Sequence, residues 1–160
     1  MIIPDEAGNT ASFAWVIFAI LQKVDEPMET LLGSCLCQSV KYEITGEIQG
    51  FFLCHCSRCR KVTGSAHASN IFAKVSALNW LSGEGKISRI QVPETRFAKS
   101  FCSQCSSALP NPRPHGFVLI PAGSLDSKLT IKPQAHIFCE SRAEWDESLE
   151  SLPQFAGLPS

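Results

Sequence analysis

Seven of the eight cysteines in this chain fall into three tight groups, and their spacing dictates how the chain must close on itself. The groups are Cys35-Leu36-Cys37, Cys54-His55-Cys56-Ser57-Arg58-Cys59 and Cys102-Ser103-Gln104-Cys105; Cys139 stands apart. A CxxC turn brings two thiolates to one tetrahedral Zn²⁺ at about 2.3 Å, and a CxC in extended chain sends both sulfurs to one face because side chains alternate with period two. Each is half of a site. Cys35 and Cys37 joined to Cys102 and Cys105 complete a four-thiolate Zn²⁺ site that ties the start of the domain to its far end. Such a site is structural, since no coordination position is left for substrate. Cys54, Cys56 and Cys59 remain as three ligands without an obvious fourth. Three protein ligands and an open position is the arrangement of catalytic zinc, so the chemistry is assigned to this cluster. Arg58, Arg60 and Lys61 crowd the same loop, where they either lower thiol pKa values and attract an anion or only balance thiolate charge. In an extended CHC segment His55 points away from its two neighbours, which favours hydrogen bonding or packing over ligation. His67, His115 and His136 have no ligand spacing to one another and read as surface or satisfied core histidines. Cys139 reads as a small buried hydrophobe in an apolar strand, and Trp80 and Trp145 as core or lid aromatics.

Eight cysteines in 160 residues are too few for a disulfide-built scaffold and too many for chance burial. A chain 44% hydrophobic and 18% charged is that of a globular domain. The longest apolar run, residues 11–21, is too short to cross a hydrocarbon layer of about 30 Å. Asp5 and Glu6 stand where a secretory signal wants bases, and the absence of Arg before Arg58 argues against a mitochondrial presequence. These features point to a reducing cytoplasm and no membrane, where thiols bind metal rather than pair. Residues 33–139 hold twelve Lys and Arg against five acids, while both flanks are acidic. Metal-bound thiolates consume much of that excess, which suits small anionic ligands better than nucleic acid.

Residues 1–28 differ in character from the remainder of the chain and read as an N-terminal extension outside the domain, ending near Asp25-Glu26-Pro27-Met28, with the zinc domain over 29–160. From Gly33 onward, short apolar runs punctuated by Gly, Pro and Ser predict strands at 40–44, 51–53, 68–73, 88–92, 96–101, 117–120 and 135–138. Only 143–149, with 75–81, reads as helical. Turns every ten or so residues and no βαβ rhythm predict a mainly β architecture with little helix.

The motifs together, Gly33-Ser34-Cys35-Leu36-Cys37, Cys54-His55-Cys56-Ser57-Arg58-Cys59-Arg60-Lys61 with Thr63-Gly64-Ser65-Ala66, Phe101-Cys102-Ser103-Gln104-Cys105, Pro121-Ala122-Gly123-Ser124-Leu125-Asp126 and Pro133-Gln134-Ala135-His136-Ile137-Phe138, closely resemble the glutathione-dependent formaldehyde-activating family, which also includes centromere protein V. The likeness runs from about residue 31 to Phe155. It implies an Mss4-like β-tent, a structural zinc on Cys35, Cys37, Cys102 and Cys105, and a catalytic zinc on Cys54, Cys56 and Cys59. It also implies a carbon–sulfur lyase that adds the thiol of glutathione to formaldehyde, giving S-hydroxymethylglutathione, with Arg58, Arg60 and Lys61 placed to hold the carboxylates of glutathione or another small-thiol adduct. A zinc-stabilised binding module without catalysis, or a thiol redox protein, are the alternatives. Gln38 and Ser106 stand where the family usually has Gly, a strained choice of about 1 kcal/mol if the turns need positive φ. The tail Arg142-Ala143-Glu144-Trp145-Asp146 keeps the tryptophan but lacks the usual proline before it and the aromatic or hydrophobic residue after it.

Overall fold

The computed structural model describes residues 28–158. The expected N-terminal extension and its apolar run 11–21 lie outside these residues, apart from an exposed Met28. Among the described residues the architecture is mainly β, as the turn-rich sequence requires, and no helix is long and apolar enough to cross a membrane.

Two long strands form the spine. β1 (Glu29–Ser34) pairs antiparallel with the first half of β2 (Lys41–Cys54), and β3 (Ala68–Ser82) pairs antiparallel with β2 along its length. The remaining strands are β4 (Ile87–Gln91), β5 (Ala98–Cys102), β6 (Ala108–Leu109), β7 (Asn111–Pro112), β8 (Phe117–Pro121) and β9 (Ala135–Ile137), with one helix, α1 (Ser57–Thr63), between β2 and β3. The larger sheet runs β1-β2-β3-β8-β7; β9 pairs parallel with Phe52, Leu53 and Cys54 at the far end of β2. The smaller sheet is β4-β5-β6.

Alternation explains the strands. In β2 Tyr42 and Ile44 are buried while Lys41 is exposed and Glu43 half-exposed, the period-two signature of a sheet with one covered face. Register shifts between Thr45 and Gly46 and between Ile48 and Gly50 then change the phase, so that Gly50 and Phe51 are both buried and the strand delivers Cys54 inward. The core gathers Val40, Tyr42, Ile44, Phe51, Ile71, Leu109, Val118 and Ile120 around two of the cysteines, Cys35 and Cys102. Asn111, on β7, donates to the Ala98 carbonyl at 2.6 Å and faces Ser100 at 3.3 Å, linking the larger sheet to the smaller.

Two expected helices are absent. Residues 75–81 continue β3, because Val75 to Trp80 find backbone partners on β2; side-chain pattern alone does not reveal that edge. Trp80 meets Tyr42 edge-on at 5.9 Å, as an aromatic of the core should. Residues 143–149 make a turn, closed by Asp146 N–H on the Ala143 carbonyl, because Asp146 is drawn inward to His55 while Trp145 is left 63% exposed. Cys139, expected buried, is exposed on a 3-10 turn just beyond β9.

Gly33 sits where β1 crosses the Tyr42 ring, whose hydroxyl donates to the Ser124 carbonyl at 3.0 Å. A Cβ at Gly33 collides with that ring and lies 2.6 Å from the same carbonyl. Gly33→Ala should therefore destabilise the domain by about 3 kcal/mol, at the upper end of overpacking effects, measured as a lowered urea midpoint with unchanged slope.

Candidate metal centres

The first centre joins the two sheets. Cys35 and Cys37 lie on the turn between β1 and β2; Cys102 ends β5, and Cys105 lies on the turn between β5 and β6. All four sulfurs are within 4.8 Å of one another, with Cys35–Cys37 at 3.5 Å and Cys37–Cys102 at 3.9 Å. A tetrahedron with bonds of about 2.3 Å has edges of about 3.8 Å, close to these two distances, so this set could hold a cation between four thiolates. Both turns have the same construction. Gln38 N–H donates to the Cys35 carbonyl at 2.9 Å, Ser106 N–H to the Cys102 carbonyl at 2.8 Å, and both residues adopt positive φ, 60° and 61°. Burial raises the Cys35 thiol pKa, whereas hydrogen bonding with Ser39 lowers that of Cys37 and with Ser107 lowers that of Cys105 to about 5.

The second centre lies where β2 runs into α1. Cys54 is the last residue of β2, Cys56 caps α1 by accepting from Cys59 N–H at 3.4 Å, and Cys59 is on the buried side of the helix. Their sulfurs also lie within 4.8 Å of one another and offer three donors for a cation. Hydrogen bonds from the Cys54 and Cys59 thiols pull the Cys56 pKa down, and sharing that charge pushes Cys54 and Cys59 up. A thiolate trio so close is not stable without a counter-cation.

Helix α1, read as a loop from sequence, ends at Gly64 in the left-handed conformation, with Lys99 Nζ donating to the Val62 carbonyl at 3.0 Å. At about 100° per residue it separates the three cations expected to act together. Arg58 and Arg60 flank the Cys59 face on opposite sides, whereas Lys61 is exposed on the far side. Arg60 Nε donates to the His55 carbonyl at 3.2 Å. Arg113, not singled out from sequence, is half-buried, donates to the Arg96 and Ala98 carbonyls, and interacts electrostatically with Cys59. No local signal marked it, because β7 brings it in from fifty-odd residues away.

A third group was invisible in the sequence. His55 is 1% exposed, with Nδ1 2.7 Å from Asp146 Oδ2 and Nε2 2.7 Å from His136 Nδ1. The His67 ring centroid lies 5.2 Å from that of His55. Burial lowers the His55 pKa against the opposing pull of Asp146. His115 stays exposed and apart.

The sequence model of the glutathione-dependent formaldehyde-activating enzymes matches residues 30–141. The chain belongs to this family. A crystal structure of a Rhodobacter sphaeroides protein, a structural-genomics target, superposes with a TM-score of 0.52 at 19% identity, covering 66% of this chain and 99% of that one, which supports the fold. No curated protein matches the sequence. Family membership supports a glutathione-related, formaldehyde-activating type of function. The matched segment contains all seven clustered cysteines but stops before Trp145 and Asp146, so the likeness read out to Phe155 extends past it.

The positive φ at Gln38 and Ser106 explains why glycine suits both positions in the family. Ser106→Gly should stabilise the metal-loaded protein by about 1 kcal/mol in urea unfolding by removing a strained left-handed residue. Gln38→Gly should gain less, because the Gln38 side-chain amide donates to Ser34 Oγ at 3.0 Å and that bond is lost.

Proposed function

We propose that the protein is a zinc-dependent carbon–sulfur lyase of the glutathione-dependent formaldehyde-activating type, acting on a glutathione or small-thiol adduct such as S-hydroxymethylglutathione. The observation that carries this reading is the division of sulfurs into one complete set of four and one convergent set of three, Cys54, Cys56 and Cys59, with Cys56 half-exposed. Four donors close a coordination shell; three leave it open to a substrate atom.

In the synthetic direction a bond forms between the glutathione sulfur and the formaldehyde carbon as the carbonyl π bond opens. The thiol proton ends on the new hydroxyl, and nothing is oxidised or reduced. A Zn²⁺ held by the three thiolates would supply Lewis acidity toward the substrate sulfur or oxygen. The chain's own side chains provide binding and orientation. Arg58 and Arg60, on either side of the Cys59 face, are positioned to take substrate carboxylates, and Arg60 is braced by the His55 carbonyl. Lys61, on the opposite face, contributes longer-range attraction to an anionic peptide. A reducing cytoplasmic setting goes with this reading, because it keeps the thiols free and supplies glutathione.

Cys56→Ser should remain folded, hold one zinc fewer than wild type, and reduce adduct formation to the uncatalysed rate. Cys102→Ser should fail to fold, since structural zinc contributes about 10–16 kcal/mol in small zinc-finger peptides. By calorimetric titration, wild type should bind S-methylglutathione about tenfold or more weakly than glutathione, and Arg60→Glu should weaken glutathione binding in a salt-dependent way. Full activity in Cys56→Ser, or equal affinity for the two peptides, overturns the proposal.

A further inference from the structure

Behind the CHC segment, four buried atoms have no well-formed hydrogen bond: Nδ1 of His55, Nδ1 of His67, Oδ2 of Asp146 and, 3.7 Å from that oxygen, Nε of Arg142. Buried polar atoms in a folded protein are nearly always satisfied, and three of these four are groups that can ligate a cation, so together they call for a missing partner. The same three residues offer ligand atoms that lie within 4.8 Å of one another, and His55 and Asp146 are 1% and 7% exposed. We infer that His55, His67 and Asp146 form a divalent transition-metal site separate from both thiol clusters.

The geometry favours a cation over a hydrogen-bonded chain. His55 Nδ1 and Asp146 Oδ2 are paired at 2.7 Å, the distance of an ion-pair contact, yet neither atom has a well-formed hydrogen bond to any other group. Around a cation with bonds of about 2.1 Å, neighbouring ligand atoms stand about 3.0–3.4 Å apart, so binding would require these two atoms to part by a few tenths of an ångström. An Asp146–His55–His136 relay would moreover leave the buried Nδ1 of His67 unexplained. The second ring nitrogen of His55 is already engaged by His136 Nδ1 at 2.7 Å. If His55 Nε2–H donates there, its Nδ1 lone pair is free to ligate, and such an outer partner is what metal-binding histidines usually have. Arg142 Nε, 3.7 Å from Asp146 Oδ2, is too distant to occupy that oxygen by hydrogen bonding and acts as a charge balance.

Two imidazoles and one carboxylate suit Zn²⁺, Co²⁺, Mn²⁺ or Fe²⁺ rather than Ca²⁺ or Mg²⁺, which prefer all-oxygen shells. The ligands come from the β2–α1 connection, the segment before β3 and the irregular tail after β9. A bound cation therefore clamps the tail, including Asp146, onto the back of the segment that carries Cys54 and Cys56. Because alternation turns His55 away from those two sulfurs, the clamp and the thiol cluster occupy opposite sides of the same backbone.

The test uses untagged full-length protein with its thiol sites filled by zinc, then titrated with Co²⁺. Wild type should take up one further equivalent, with visible d–d absorption but no thiolate-to-cobalt charge-transfer band. Asp146→Asn and His67→Gln should each lose that equivalent while retaining the thiol-bound zinc measured by elemental analysis. Added Co²⁺ should raise the melting temperature of wild type and leave both variants unchanged. Saturation of wild type by the thiol sites alone, a third equivalent carrying thiolate charge-transfer bands, or retention of that equivalent by both variants overturns the inference. The wild-type titration decides the matter even if a variant fails to fold.

Discussion

Four cysteine sulfurs carried by two different sheets meet within 4.8 Å, and the rest of the architecture is arranged around that meeting. Cys35 and Cys102 are fully buried in the main core, while Cys37 and Cys105 lie nearer the surface beside Ser39 and Ser107. Packed this closely, ionised thiols repel one another, and burial further disfavours charge on Cys35. A cation relieves both penalties at once, which makes the junction a strong bond between sheets when filled. The strain in the turns is consistent with this: Gln38 and Ser106 are held at positive φ so that each backbone can bend its cysteine pair toward a common point.

β2 connects this junction to the second cluster. Near its start Tyr42 braces the β1 crossing and the 3-10 turn at Ala122–Ser124; at its end Cys54 opens the three-sulfur group. β9 closes beside that end in parallel, and its Ile137 carbonyl accepts the His55 N–H at 3.0 Å. Backbone pairing thus fixes the CHC segment from one edge while α1 fixes it from the other. The segment has two working faces as a result, sulfurs toward α1 and an imidazole toward the tail.

Helix α1 shows how local structure redistributes charge that looks continuous in sequence. Arg58, Arg60 and Lys61 read as one basic cluster along the chain, but a helical turn spreads them around an axis. Arg60 is committed to the His55 carbonyl, Lys61 faces solvent, and Arg113 approaches Cys59 from another strand. The electrostatic surroundings of the three sulfurs are therefore assembled from separate elements.

The spacing of the cysteines was enough to pair CxC with CxxC, because both motifs are local and their geometry follows from a few backbone dihedrals. Most of the longer strands were legible for the same reason, since period-two burial is written into neighbouring residues, whereas β1 and the two-residue β6 and β7 were not read from sequence. The helix expectations at 75–81 and 143–149 failed where a partner distant in sequence decided the outcome: β2 claims the first, and the seating of Asp146 beside the buried His55 goes with the turn in the second. Cys139 likewise left its expected strand because β9 stops at Ile137. His55, His67, His136 and Asp146 have no common motif, and only the return of the tail past β9 brings them together. The sequence determined which side chains had to find one another through short, repeated spacings; the tertiary structure decided which isolated polar groups would share a buried space, because that depends on the path of the chain between them.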